Sequence, residues 1–168
     1  MILAVDPGSA ESAYVMLDES LNPIEFGKFS NENVKTEMRR LLKHYYTPDK
    51  PIGVAIEMVA SYGMSVGATV FDTCVWVGRF TEMAEQCGRI AQYIYRKDEK
   101  MNLCHNMKAK DSNITQALVD RFAPGQPNHG KGTKSNPGWF HGFSKDIWQA
   151  YAVGVTFYDL YIKKKEGF

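Results

Sequence analysis

Ile2-Leu3-Ala4-Val5-Asp6-Pro7-Gly8-Ser9 is a run of apolar residues closed by one carboxylate and a turn-forming triplet. A buried β-strand ends this way where its last side chain leaves the core. Pro51-Ile52-Gly53-Val54-Ala55-Ile56-Glu57 repeats the pattern, with a nearly continuous apolar run ended by a single acid, as in a parallel strand buried on both faces. Outward from the first run, apolar clusters at Ala13–Leu17 and Ile24–Phe26 flank the turn residues 18–23 and predict an antiparallel meander. Asn33 caps a predicted helix to about Tyr46, with Val34, Met38, Leu41, Leu42 and Tyr45 at helical spacing. Outward from the second run, a long helix is predicted over Thr69–Cys87 with Phe71, Val75, Val77, Phe80, Met83 and Ala84 on its apolar side. A fifth strand follows over Ile90–Tyr95, then a short helix or turn within Lys97–Cys104. Asp111-Ser112-Asn113 caps a helix that Pro124-Gly125 stops, and Ser144 begins the last one. This order predicts an α/β fold whose mixed sheet has three antiparallel strands followed by parallel strands, with helices on both faces.

The whole chain, 1–168, is the size of one domain, and 44% hydrophobic with 23% charged residues is ordinary globular composition. No apolar run approaches the roughly 20 residues of a membrane span. Ile2–Val5 follows the first residue directly, without a basic leader, so a cytoplasmic location is expected and no membrane partner. Cys74, Cys87 and Cys104 form no CxxC pair, and the four histidines are scattered, which excludes a disulfide framework and a zinc site of ordinary ligand spacing. The net charge of +1 conceals a division: residues 96–145 carry 9 Lys and Arg against 4 Asp and Glu, whereas residues 1–95 carry 8 against 12. A basic segment of +5 suits either a polyanionic partner or a solvated surface.

Three acids stand at the ends of otherwise apolar elements: Asp6 and Glu57 after strands, and Asp146 in the first turn of the last helix. Ligands of open α/β sheets gather beyond the carboxyl ends of the strands. If the two strands are neighbours, their acids emerge at one edge, and the last helix can add Asp146. Converging carboxylates repel unless cations neutralise them, and hard oxygen donors select Mg²⁺ or Mn²⁺. Two such ions can activate water and stabilise the leaving oxygen of a phosphodiester. Taken singly, Asp6 also reads as an Asx turn and Asp146 as first-turn helix electrostatics. The constellation points to metal-dependent phosphodiester hydrolysis.

On these residues the chain resembles the RuvC-type Holliday junction resolvases. Residues 2–9 resemble the family's opening strand and turn, Ile56-Glu57 its second acidic strand end, and residues 144–153 its final acidic helix. Tyr95–Lys100 and Lys108–Ile114 resemble the middle segment of phage-encoded members, which act in the bacterial host cytoplasm. The resemblance implies a ribonuclease H-like fold, a homodimer, two Mg²⁺ ions per site with Asp6, Glu57 and Asp146 as ligands, and paired nicks across branched DNA. Where cellular members carry a further Asp or His pattern in the last helix, this chain has Gln149, a weak metal ligand at best. The resemblance also implies that Tyr62, in the connection after Glu57, lies near the centre of the junction.

Phosphate contacts are expected from Lys97, Lys100, Lys108, Lys110, Lys131, Lys134 and Lys145, of which Lys145 adjoins Asp146 and is expected to act within the catalytic site. Residues 125–142, rich in Gly and Pro, read as a mobile loop whose Trp139 and Phe140 either stack on a base or pin the loop to the core. The apolar excess on Thr69–Cys87 suits a dimer seam. Two further readings use the same residues: a junction-binding protein with its metal site weakened by Gln149, and an actin-like phosphotransferase. The latter needs two lobes, which 168 residues cannot build.

Overall fold

The computed structural model describes residues 1–61, 63 and 65–163. Its five strands are β1 (Ile2–Asp6), β2 (Glu11–Leu17), β3 (Pro23–Ser30), β4 (Gly53–Met58) and β5 (Ala91–Tyr95). They form one sheet in the order β3-β2-β1-β4-β5. The β1–β2 and β2–β3 pairs are antiparallel, and β1–β4 and β4–β5 are parallel, as the order of apolar runs predicts. The helices are α1 (Asn31–His44), α2 (Ala68–Gln86), α3 (Arg96–Cys104), α4 (Asp111–Phe122) and α5 (Lys145–Phe157), the last continued by a π-helical turn, Tyr158–Ile162. No described helix is long and apolar enough to cross a membrane.

Strand alternation divides the core into two layers. Ile2, Ala4, Ala13, Val15, Leu17, Ala55 and Ile94 face α5 and α4, while Leu3, Val5, Tyr14, Met16, Val54 and Ile56 face α1 and α2. Helix α5 is buried from Ile147 to Thr156, a helix apolar all round because the sheet lies on one side and α3, α4 and an aromatic cluster on the other. Gly154 permits this approach: a Cβ there would lie 2.7 Å from Leu17 Cδ1 and 3.1 Å from Ala4 Cβ.

Local starts and stops depart from expectation where a side chain is recruited elsewhere. Helix α1 starts at Asn31 after Ser30, not at an Asn33 cap, and the Asn31 amide is spent on residues near Asp6. The segment 97–104 is helical from Arg96, because the Asp98 carboxylate accepts the Tyr95 N–H at 3.1 Å. On α2, Val77, Phe80, Met83 and Ala84 are buried as expected, but Phe71 and Val75 are 61% and 60% exposed. The loop expected to be mobile is cross-linked to itself and to the core. The Phe140 N–H donates to Gly130 O at 2.9 Å, and the Gly138 N–H to Lys131 O at 3.0 Å. The Phe140 ring is fully buried against Phe143, Trp148 and Tyr151, and Trp139 stacks on Phe122 and donates its Nε1–H to Tyr151 Oη. Of the two roles open to these aromatics, the structure shows the pinning one.

Candidate active site

Register and alternation bring Asp6 and Glu57 together. Val5 pairs with Ile56 across the parallel β1–β4 ladder, so the next residue on each strand is an acid. Both acids continue the row of Ala4 and Ala55, which faces α5. Asp6 is held from behind by a closed ring of hydrogen bonds in the turn that follows it. The Gly8 N–H donates to Ser12 Oγ at 3.1 Å, the Ser12 hydroxyl to Asn31 Oδ1 at 2.6 Å, and Asn31 Nδ2 back to Gly8 O at 3.0 Å. Ser12 and Asn31 are both buried. Position 8 accepts only glycine, since a Cβ would lie 2.3 Å from Glu11 O.

The electrostatics are those of acids crowded together. Burial first, then the charge of Glu57 and a proton shared with it, then Glu99 and Asp146, push the Asp6 carboxyl well above the usual carboxylate range. Glu99, on α3, is 0% exposed, and burial and Glu57 push its carboxyl up strongly against the opposing pull of Arg96. Arg96 bridges Glu99 and Asp111; burial would lower its pKa, but the facing acids raise it. A cavity of about 260 Å³ opens at Glu57, lined also by Pro7, Met58, Val59, Ala60 and Arg96. Asp146, in the first turn of α5, has its carboxylate on Lys28 Nζ at 2.8 Å, and that ammonium also meets Glu11 at 3.1 Å. Gln149 is 9% exposed, one turn further along α5, and among the described residues neither its Oε1 nor Glu99 Oε1 has a hydrogen-bond partner.

Among the described residues, no three His, Cys, Asp or Glu side chains stand gathered closely enough to grip a metal ion as they are. The donor set nevertheless fits a hard divalent cation. It consists of carboxylate oxygens that repel one another with the Gln149 amide oxygen beside them, two of its buried oxygens, Glu99 Oε1 and Gln149 Oε1, lack a donor among the described residues, and a cavity opens at Glu57. Lysine and arginine side chains now neutralise part of that charge.

The structure therefore brings Asp6 and Glu57 side by side and places Asp146 within electrostatic range of Asp6. Lys145 is exposed, and the cation on Asp146 is Lys28 instead. Lys97, Lys108, Lys110 and Lys134 are exposed and Lys100 and Lys131 half-buried, spread over α3, the α3–α4 connection and the loop before α5. Tyr62 lies outside the described residues. Glu99 and Lys28 escaped the sequence reading. Glu99 is one of two adjacent acids on a polar helix, and the available signal was its position one turn before Leu103, which packs on the core. Lys28 is an ordinary strand lysine with no local signal.

No protein-family model and no curated protein sequence matches the chain. Solved structures do. Thermus thermophilus RuvC is 15% identical, with a TM-score of 0.60 over 94% of this chain and 94% of that one. T. thermophilus RuvC in complex with a Holliday junction substrate is 12% identical, with a TM-score of 0.66 over 94% and 93%. At these identities the likeness establishes the fold: a RuvC-type, ribonuclease H-like mixed sheet along nearly the whole chain.

Proposed function

We propose that the chain is a divalent-ion-dependent endodeoxyribonuclease that nicks four-way junctions and related branched DNA. The observation that carries this reading is the pairing of Asp6 and Glu57 on adjacent parallel strands, beside Glu99, Asp146 and an open cavity. The fold shared with a RuvC that binds a Holliday junction supports the choice of substrate.

Asp6, Glu57 and Asp146 are the ligands in this reading, with Gln149 as a neutral oxygen donor at the same helix end. Mg²⁺, two ions per site and replaceable by Mn²⁺, would supply charge to the scissile phosphate and lower the pKa of water. The chain's own residues do the rest. The Ser12–Asn31 ring keeps the Asp6 turn rigid, so the oxygens need little reorganisation when charge develops. Asp146 leaves Lys28, and the freed ammonium faces the DNA backbone. Lys97, Lys100, Lys108, Lys110, Lys131, Lys134 and Lys145 contact phosphates without reading bases, which makes binding steeply salt-dependent. The exposed Phe71 and Val75 of α2 are the seam of a homodimer, which sets two sites for paired nicks.

Gln149 and the Asp146–Lys28 pair favour a second reading, in which the protein binds junctions and cleaves them weakly or not at all. A labelled synthetic four-way junction, incubated with the protein across Mg²⁺ and Mn²⁺ concentrations, separates the two. Ion-dependent nicks that vanish with Asp6→Asn support the nuclease. Tight, salt-sensitive binding without nicks at any concentration of either ion supports the second reading.

A further inference from the structure

We propose that Glu99 is a ligand of the divalent-ion site, a carboxylate delivered by α3 rather than by the strand ends or by α5. The inference rests on the reading of Asp6 and Glu57 as an ion-binding pair. Glu99 is fully buried, and its two oxygens are treated differently. Oε2 receives the Arg96 guanidinium, while Oε1 is sealed from solvent with no donor facing it among the described residues. A carboxylate oxygen left in that state is costly, so buried acids persist where something completes their coordination. Among the described residues, nothing does so.

Position explains what is missing. Ile94 of β5 pairs with Glu57 of β4, and α3 begins directly after β5, so Glu99 lies in the helical layer on the face that carries Glu57 and Asp6. Arg96 touches Glu99 and also lines the cavity that Glu57 lines. The guanidinium thus sits where the acids converge and holds the charge that an ion would hold. On α5, Gln149 brings an oxygen in the same unpartnered condition but no charge. Glu99 supplies the additional negative charge from a different helix, which makes the set Asp6, Glu57, Glu99 and Asp146. A fourth carboxylate suits a pair of divalent ions better than three do, because hard cations are held by oxygen number and charge.

The test is Mn²⁺ binding by the full chain, followed by calorimetric titration and by the rise in Tm that the ion produces. The wild-type protein, Asp6→Asn, Glu99→Gln and Arg96→Gln are compared. Glu99→Gln is expected to weaken Mn²⁺ binding about tenfold or more, to lose most of the ion-induced rise in Tm, and to unfold cooperatively in EDTA, since Arg96 keeps its pairing with Asp111. Arg96→Gln leaves the acid and removes its cation, and is expected to bind Mn²⁺ more tightly. If Asp6→Asn loses the ion while Glu99→Gln binds it as the wild type does, Glu99 is only the structural partner of Arg96: the inference fails and the ion site stands. Unchanged or weaker affinity in Arg96→Gln overturns it equally. If the wild-type protein itself takes up no Mn²⁺, the reading of the site fails and the inference with it.

Discussion

Replacing Asp6 with asparagine should make the ion-free protein more stable while removing its activity. The wild-type turn holds Asp6 beside Glu57 in a half-buried corner with Glu99 and Asp146 close by. Two carboxylates about 4 Å apart, at an effective dielectric of about 20, repel by about 4 kcal/mol. Part of that repulsion is relieved because burial and the Glu57 charge raise the Asp6 carboxyl pKa, so the pair holds a proton more readily than a free carboxylate does. An amide at this position has no charge to suppress and can donate to Glu57, so a gain of about 1–3 kcal/mol is expected near pH 7.5. For a domain of this size that is about 3–10 °C in Tm. The sign with pH is fixed. A carboxyl whose folded pKa is raised keeps a proton that the unfolded chain releases, so wild-type stability falls as pH climbs from about 4 towards the raised folded value. The advantage of Asp6→Asn therefore widens over that window. Thermal denaturation in EDTA at several pH values measures it, and saturating Mg²⁺ should narrow the gap by stabilising only the wild type. A variant no more stable than the wild type in EDTA, or an advantage that shrinks as pH rises, would refute the crowding of charge.

Other outcomes follow from the same geometry. Asn31→Ala breaks the ring behind Asp6 and leaves Ser12 and Gly8 short of partners in a buried place. It should cost about 2–3 kcal/mol in urea denaturation and slow cleavage more than it weakens junction binding. Val75→Glu places a charge on the exposed face of α2 and, if that face is the proposed dimer seam, should shift the wild type's sedimentation from dimer to monomer with the fold's Tm preserved; a wild type that sediments as a monomer would refute the seam. Burial pushes the Asp159 carboxyl up, but the hydrogen bonds from Arg121 and Asn102 together outweigh it and hold it low, so its contribution is complete above the unfolded value of about 3.9 and is lost as pH falls through the folded one. Asp159→Asn should accordingly be less stable near neutrality and lose stability less steeply on acidification.

Much of this was legible because apolar runs and their closing acids are local signals. Val-Ala-Ile-Glu at 54–57 and Leu-Ala-Val-Asp at 3–6 identify two buried strands, and the parallel register then aligns Asp6 with Glu57 without further information. Long-range polar choices were not legible. The Asn31 side chain, at the first residue of α1, closes the turn at Gly8, which lies 23 residues away, and nothing in the neighbourhood of either residue announces it. Phe140 and Trp139 sit among glycines that suggest mobility, yet Phe140 is held by Phe143, Trp148 and Tyr151 and Trp139 by Phe122 and Tyr151, residues of α4, α5 and the turn before α5 whose local sequence gives no sign of anchoring a loop. Asp146 and Lys28 meet across elements far apart in sequence, and Glu99 is distinguished from Asp98 only by which side of α3 meets the core. Charge pairing of this kind is settled by the assembled fold.

Anomalous scattering from crystals equilibrated with Mn²⁺ examines the heart of the account. The expected map has manganese peaks in contact with the carboxylates of Asp6 and Glu57, with Asp146 turned from Lys28 towards them. Saturating Mn²⁺ that leaves those carboxylates without a peak, and Asp146 still on Lys28, would contradict it.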